Sequence, residues 1–193
     1  EMIHQVGDVM FDASIFYNKT SDQESSILEQ LDIVDSEYML LTIHRRENTS
    51  SKVKLENIMH GLEESGRNII CPLHPGTKNQ LEKFNIDIPK NIKIIQPVGY
   101  LDMISLQKNA RLVITDSGGV QKEAYFYQVP CVILRDETEW VELVENGYSI
   151  LTGSDSKCIK EAINSMTLTE IDGEYLYGQG DAAEKIVRIM ADY

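Results

Sequence analysis

Several things that this 193-residue chain has little of narrow its function before any motif is read. Basic residues are scarce: 18 Lys and Arg stand against 31 Asp and Glu, for a formal net charge of -13 at pH 7. Nucleic acid and anionic membranes both attract basic surfaces, so neither is expected as the main partner. A small anionic ligand is still admissible, because local donors outweigh a net charge screened beyond about 10 Å. No apolar run reaches the ~20 residues that a bilayer span requires. The first ten residues, EMIHQVGDVM, show no basic-then-apolar leader pattern, so no secretion signal is expected. Cysteines number three, Cys71, Cys131 and Cys158, widely spaced and without a CxxC pair. They read as buried or half-buried thiols of a protein in a reducing cytoplasm, not as disulfides or metal ligands.

What is present alternates. Short β-rich runs, IHQVG, YMLLTIH, NIICPLH, NIKIIQP, RLVITD, PCVILRD and a weaker YSILTG, are separated by stretches with apolar residues at helical spacing, as Leu55, Ile58, Met59 and Leu62 show. Two further helices, SDSKCIKEAINSM and DAAEKIVRIMADY, follow. Continuous apolar strands separated by helices predict one α/β domain, a doubly wound, Rossmann-like parallel sheet covered on both faces. Residues 18–26, NKTSDQESS, read as a polar surface turn leading into a helix, and SMTLTEIDGEYLYGQG as the most mobile loop.

Ligands on such sheets bind at the carboxyl ends of the strands, and the polar residues collect there. Four strand ends carry His44, Arg45, Arg46 and Glu47; His74 and Lys78; Ser117, Gly118 and Gly119; and Arg135. In ITDSGGVQKEA, Ser117 fits a helix N-cap, and the two glycines suit a tight turn that a ligand can approach closely. Free N–H groups at a helix start favour an anion, phosphate above all. Glu123, about a turn and a half further on, would repel phosphate but can accept hydrogen bonds from two sugar hydroxyls. Gly-Gly turns before helices are often plain structure, so this turn alone does not specify a nucleotide. His44 and His74 read either as hydrogen-bonded structural residues or, being paired at neighbouring strand ends, as proton donors to a phosphate leaving group. No third ligand at suitable spacing accompanies them, so no metal is expected.

The ordered set TIHRREN, LHPGT, ITDSGGVQKEA, VPCVILRDETE and YGQGDAAEKIV resembles the UDP-N-acetylglucosamine 2-epimerases over essentially the whole chain. The resemblance is to the second lobe of these enzymes, which have two Rossmann-like lobes in the GT-B arrangement with the active site between them. It implies that residues 1–193 are a C-terminal UDP-binding domain whose N-terminal lobe is absent, inactive on its own and part of a homodimer when full length. The implied activity is an isomerase reaction. UDP-GlcNAc and UDP-ManNAc interconvert through elimination of UDP to a 2-acetamidoglucal and re-addition, without a cofactor, in the cytoplasm, for capsule or other surface polysaccharide precursors. The family's helix-start Ser-Gly-Gly falls on Ser117, Gly118 and Gly119, its ribose-binding glutamate on Glu123 and its catalytic histidine on His44. Its uracil-holding segment falls on Val98 to Met103, acting through backbone groups. Arg45, His74, Arg135 and Trp140 are further candidate contacts to substrate or phosphate. The carboxylates credited with proton transfer at C2 belong to the first lobe, so no general base is assigned here.

Two positions depart from the common pattern. Many bacterial members read TERPE where this chain reads TEWVE, so Trp140 replaces an arginine tied to substrate binding and activation, and tryptophan offers no forked cationic contact. Met103 stands where an aromatic residue is common. The TEWVE form also resembles the branch acting on UDP-2,3-diacetamido-2,3-dideoxyglucuronate, which is the competing substrate; a GT-B glycosyltransferase is the competing reaction class.

Overall fold

The computed structural model describes residues 3–33, 38–166 and 176–192. Six strands, β1 (Met39–Thr42), β2 (Ile69–Pro72), β3 (Ile92–Ile95), β4 (Leu112–Thr115), β5 (Cys131–Ile133) and β6 (Ser149–Leu151), pair in parallel. Their order across the sheet is β3-β2-β1-β4-β5-β6. The chain therefore builds outward from β1 in one direction, returns to the centre, and builds outward from β4 in the other. Connections diverge at that switch point and leave a crevice at the carboxyl ends of β1 and β4. The two strands are in register there, Thr42 opposite Thr115.

Strand residues alternate between the faces, and each face buries its own core. Met39, Leu41, Ile69, Cys71, Leu112 and Ile114 point to one side, against Leu55, Ile58 and Leu62 of α4 (Lys52–Glu64), Leu81 of α5 (Pro75–Phe84), and Ile159 and Ile163 of α9 (Ser156–Ser165). Leu40, Ile70, Val113 and Cys131 point to the other, against Ile27 of α2 (Ile27–Leu31), Leu106 of α6 (Tyr100–Lys108) and Ala124 of α7 (Gly118–Phe126). Gly61 sets a close helix contact: a Cβ there would lie 2.7 Å from the Ser156 carbonyl oxygen, so α4 and α9 meet backbone to backbone. Cys71 and Cys131 are buried as expected, with burial pushing both thiols up to about 12, whereas Cys158 is exposed on α9.

The start of the chain departs from expectation. Residues 3–7 form no strand, and a 16-residue helix, α1 (Val9–Glu24), follows instead, with Asp8 as its N-cap accepting from the Met10 N–H at 2.7 Å. The polar residues expected as a turn are mostly the second half of this helix. Beyond Phe11 its inner face is small and polar: Ser14 and Ser21 are buried, and the Ser21 hydroxyl donates to the Leu101 carbonyl of α6 at 2.7 Å. Hydrophobic periodicity cannot detect the half of a helix that docks through serines. The segment expected to be most mobile lies largely outside the described residues.

A third cluster joins α1 to α7 and α8 (Val141–Glu145), with Phe11, Tyr125, Phe126 and Leu143 buried and Trp140 and Tyr177 packed against them. The C-terminal segment closes over α1: the Asp8 N–H donates to the Tyr177 carbonyl at 3.0 Å, and Asp12 accepts from the Ala182 and Ala183 N–H groups at the start of α10 (Ala182–Ala191). Among the described residues no helix is long and apolar enough to cross a membrane.

Candidate functional site

The switch-point crevice is organised by an aspartate. Asp116 follows β4, is 0% exposed, and accepts the backbone N–H of His44 at 3.1 Å, that of Arg45 at 3.0 Å and the Asn48 side-chain amide at 3.2 Å. Asn48 lies in α3 (Arg46–Thr49) and also donates to the Leu134 carbonyl beyond β5, so one buried network ties three strand ends together. Beneath it the hydroxyls of Thr42 and Thr115 share a hydrogen bond of 2.6 Å across β1 and β4. His44 Nδ1 stands 3.8 Å from Asp116 Oδ1, while the imidazole itself reaches solvent.

His74 is brought beside it, with the two ring centroids 6.3 Å apart. It is the N-cap of α5: its Nδ1 accepts the Gly76 N–H at 3.0 Å, which leaves the proton of the neutral ring on Nε2. The Thr77 hydroxyl bonds the Ile43 carbonyl at 2.6 Å and fixes α5 to the end of β1. His74 thus has a structural role and remains exposed to a ligand. Lys78, on the same helix, is exposed and 4.0 Å from Glu82. Among the described residues no three His, Cys, Asp or Glu side chains are grouped to hold a metal ion.

Ser117 occupies the N-cap position of α7, but its hydroxyl makes no capping bond; its own N–H donates to Thr115 Oγ1 at 2.9 Å. Among the described residues nothing accepts from the N–H groups of Gly118, Gly119 or Val120. The expected tight glycine turn is corrected: neither Gly118 nor Gly119 has a positive φ, and both lie within the helix. A Cβ on Gly119 would meet only the Met10 methyl, at 3.6 Å, an ordinary contact.

Glu123 points back under α6. It is 7% exposed and accepts from the Gln107 amide at 2.9 Å and the Tyr100 hydroxyl at 3.4 Å. Burial pushes its carboxyl above the ordinary value, and those two hydrogen bonds hold it down in part. The segment from Val98 to Met103 is adjacent: Gly99 is the N-cap of α6, and Val98 and Met103 pack half-buried on the second core.

Arg135, at the end of β5, is 6% exposed and donates to Glu139 at 2.7 Å; Arg45 lies 3.8 Å from the other oxygen of the same carboxylate. The Arg135 partnership holds the Glu139 carboxyl down to about 2. Trp140, the N-cap residue of α8, bridges core and crevice: its indole N–H donates to the Gly118 carbonyl at 2.9 Å, while its ring packs against Tyr177. Lys122 places its ammonium 4.2 Å from the Trp140 ring centroid and pairs with Asp8.

The structure therefore collects His44, His74, Arg45, Arg135, Trp140 and the start of α7 around the ends of β1, β4 and β5, with Glu123, Val98 and Met103 behind. Sequence reasoning missed Asp116, Gln107, Lys122 and Glu139 as parts of this arrangement. The acid of DSGG was visible in the turn, but its work is across strands that are 72 residues apart in the chain.

With that geometry in place, comparison with known proteins is specific. A family model described as UDP-N-acetylglucosamine 2-epimerase matches residues 1–191. A Methanococcus maripaludis protein named UDP-N-acetylglucosamine 2-epimerase homolog is 46% identical, over 97% of this chain and 54% of its own length. A UDP-2,3-diacetamido-2,3-dideoxy-D-glucuronate 2-epimerase of Pseudomonas aeruginosa is 40% identical, over 98% of this chain and 52% of its own length. The crystal structure of Methanocaldococcus jannaschii UDP-GlcNAc 2-epimerase in complex with UDP-GlcNAc and UDP is similar at a TM-score of 0.87 and 39% identity, covering 97% of this chain and 54% of that one. The chain spans about half the length of the curated relatives it matches.

Proposed function

The chain belongs to the UDP-N-acetylglucosamine 2-epimerase family, and on that premise we propose that it is the UDP-binding half of a two-lobed nucleotide-sugar 2-epimerase. The observation that carries the reading is the start of α7: three backbone N–H groups without protein partners at the switch point, with Arg45, Arg135 and two histidines around them. Preorganised donors of this kind hold a diphosphate and stabilise charge that grows on it as a bond breaks. The fold leaves room for a Cβ on Gly119, so the absence of side chains there is accounted for by close approach of a ligand. Glu123 accepts from the ribose hydroxyls, its orientation set by Gln107 and Tyr100. Backbone groups between Val98 and Met103 hold the uracil.

In the proposed reaction on UDP-GlcNAc, a base of the other lobe removes the C2 proton. The C1–O bond breaks with its electron pair going to the diphosphate, giving UDP and 2-acetamidoglucal. Re-addition of UDP with protonation on the opposite face of C2 gives UDP-ManNAc. His44 supplies positive charge or a proton to the departing diphosphate, held in place by its backbone bond to Asp116. The full-length enzyme acts in this reading as a GT-B-type homodimer in the cytoplasm, in keeping with three free cysteines, and supplies surface polysaccharide precursors.

One observation favours a second substrate. Trp140 stands in the crevice where an arginine is common, and the similar Pseudomonas aeruginosa enzyme is named for a diacetamido uronate sugar. That sugar brings its own carboxylate, so the two substrates make different demands on position 140.

The test is calorimetry with UDP on this 193-residue chain together with NMR detection of C2 proton exchange in each candidate sugar. UDP binding without exchange is expected, with exchange appearing only when the other lobe is present. Absence of UDP binding would refute the site, and turnover by this chain alone would refute the two-lobe division of labour.

A further inference from the structure

Glu139 sits where an anion belongs. A Cβ placed on Gly118 would lie 3.4 Å from Glu139 Oε2 and 3.6 Å from the Arg45 guanidinium, so the carboxylate lies against the first turn of α7. The same carboxylate joins Arg135 at 2.7 Å and Arg45 at 3.8 Å. A negative group flanked by two arginines at a helix N-terminus has the surroundings that a bound phosphate would have. Arg135 nevertheless has donor capacity to spare: the residue is 6% exposed, and among the described residues its Nε has no hydrogen-bond partner, with Glu47 Oε2 at 4.0 Å.

We propose that Glu139 is an internal anion mimic, which occupies the two arginines beside the α7 N–H groups in the ligand-free protein and swings aside when a diphosphate binds. This rests on the nucleotide-diphosphate reading of the site and adds a regulating residue to it. The side chain has solvent to swing into, being half exposed on the loop between β5 and α8, while the neighbouring Trp140 is bonded to the Gly118 carbonyl. The exchange keeps both arginines paired in each state, one carboxylate giving way to a more highly charged ligand. The lowered pKa of Glu139 accords with this, since the bond from Arg135 favours a negative charge at that point. A monoanion displaces the carboxylate poorly, whereas a diphosphate brings enough charge to do so. Glu139 thus sets a charge threshold for entry into a protein of net charge -13.

The experiment measures binding of UDP, uridine and inorganic pyrophosphate to the wild-type protein, Glu139→Gln and Glu139→Ala by calorimetry at fixed ionic strength. Removing a competing unit charge a few ångströms from the ligand should tighten UDP and pyrophosphate about ten-fold or more and leave uridine unchanged, in both variants. UDP affinity that is unchanged or weaker in both variants would overturn the inference and make Glu139 a strut for the arginines. A gain for pyrophosphate, with no preference for UDP in any of the three proteins, would overturn the nucleotide reading and leave the anion mimic standing.

Discussion

Asp116 receives the backbone N–H of His44 at 3.1 Å although neither residue belongs to a regular element and 72 positions separate them. This bond, with its partner from Arg45 at 3.0 Å, makes the ends of β1 and β4 one rigid unit. Asp116→Ala would leave the two part-buried backbone N–H groups without this acceptor and the Asn48 amide with only the Leu134 carbonyl, at about 1–3 kcal/mol for each lost bond. A total loss of about 3 kcal/mol or more is expected, read as a lower urea midpoint. Asp116→Asn should recover part of it, because one amide oxygen can still accept. Equal stability of all three proteins would show that the strand ends hold together without this carboxylate.

In the proposed function Glu123 trades stability for binding. Its folded pKa is raised above the ordinary 4.5 by burial, so the folded state takes up a proton more readily than the unfolded chain. The stabilising contribution of the protonated form is complete below that ordinary value and is lost as pH rises through the raised one. Glu139, held down to about 2, acts in the opposite sense, losing its contribution only in acid. Comparing Glu123→Gln with wild type isolates the Glu123 part. Relative to wild type, the variant should gain stability as pH rises from 4 to 8 while binding UDP about 1.5–3 kcal/mol more weakly, the range for hydrogen bonds to a charged group. UDP analogues without ribose hydroxyls should show much less loss. Equal losses for both ligands would reduce Glu123 to a helix residue.

Gly119→Ala separates the needs of the fold from those of the ligand. The new methyl meets Met10 at an ordinary 3.6 Å, and the helix interior favours alanine over glycine by up to about 1 kcal/mol. Melting temperature should therefore hold or rise, while UDP affinity falls at least ten-fold because the methyl occupies the approach to the α7 N–H groups. Retained UDP affinity would move the diphosphate away from this turn.

Trp140 has two roles that substitutions can split. Trp140→Phe keeps a ring near Tyr177 and Lys122 but removes the donor to the Gly118 carbonyl, so UDP binding should weaken with a stability loss of about 1 kcal/mol. Trp140→Arg sets a second cation beside Lys122, and a lower melting temperature is expected. The informative measurement is the ratio of kcat/KM for the two candidate sugars in the full-length enzyme. A changed ratio, or new sigmoidal dependence on substrate, assigns position 140 to substrate choice. Lower stability with the ratio untouched assigns it to packing.

The sequence alone determined the class of fold and where the candidate site should be sought. Strands such as LLT and VIT are apolar on both faces and are separated by helices, and that pattern admits few arrangements other than a covered parallel sheet; the polar strand ends were then the candidate site. It also determined the family, through motifs whose order no single turn could specify. Where the signal is not periodic, sequence failed: the second half of α1, residues 18–24, docks through Ser21 and read as a polar turn, and IHQVG has β-forming residues but forms no strand among the described residues. Tertiary structure alone decided which polar groups serve one another. That Asp116 bonds to His44, Gln107 to Glu123, Glu139 to Arg45 and Trp140 to Gly118 follows from the order in which the strands lie side by side. Hydrogen bonds and ion pairs act over a few ångströms, and only the folded sheet brings residues so distant in the chain within that range.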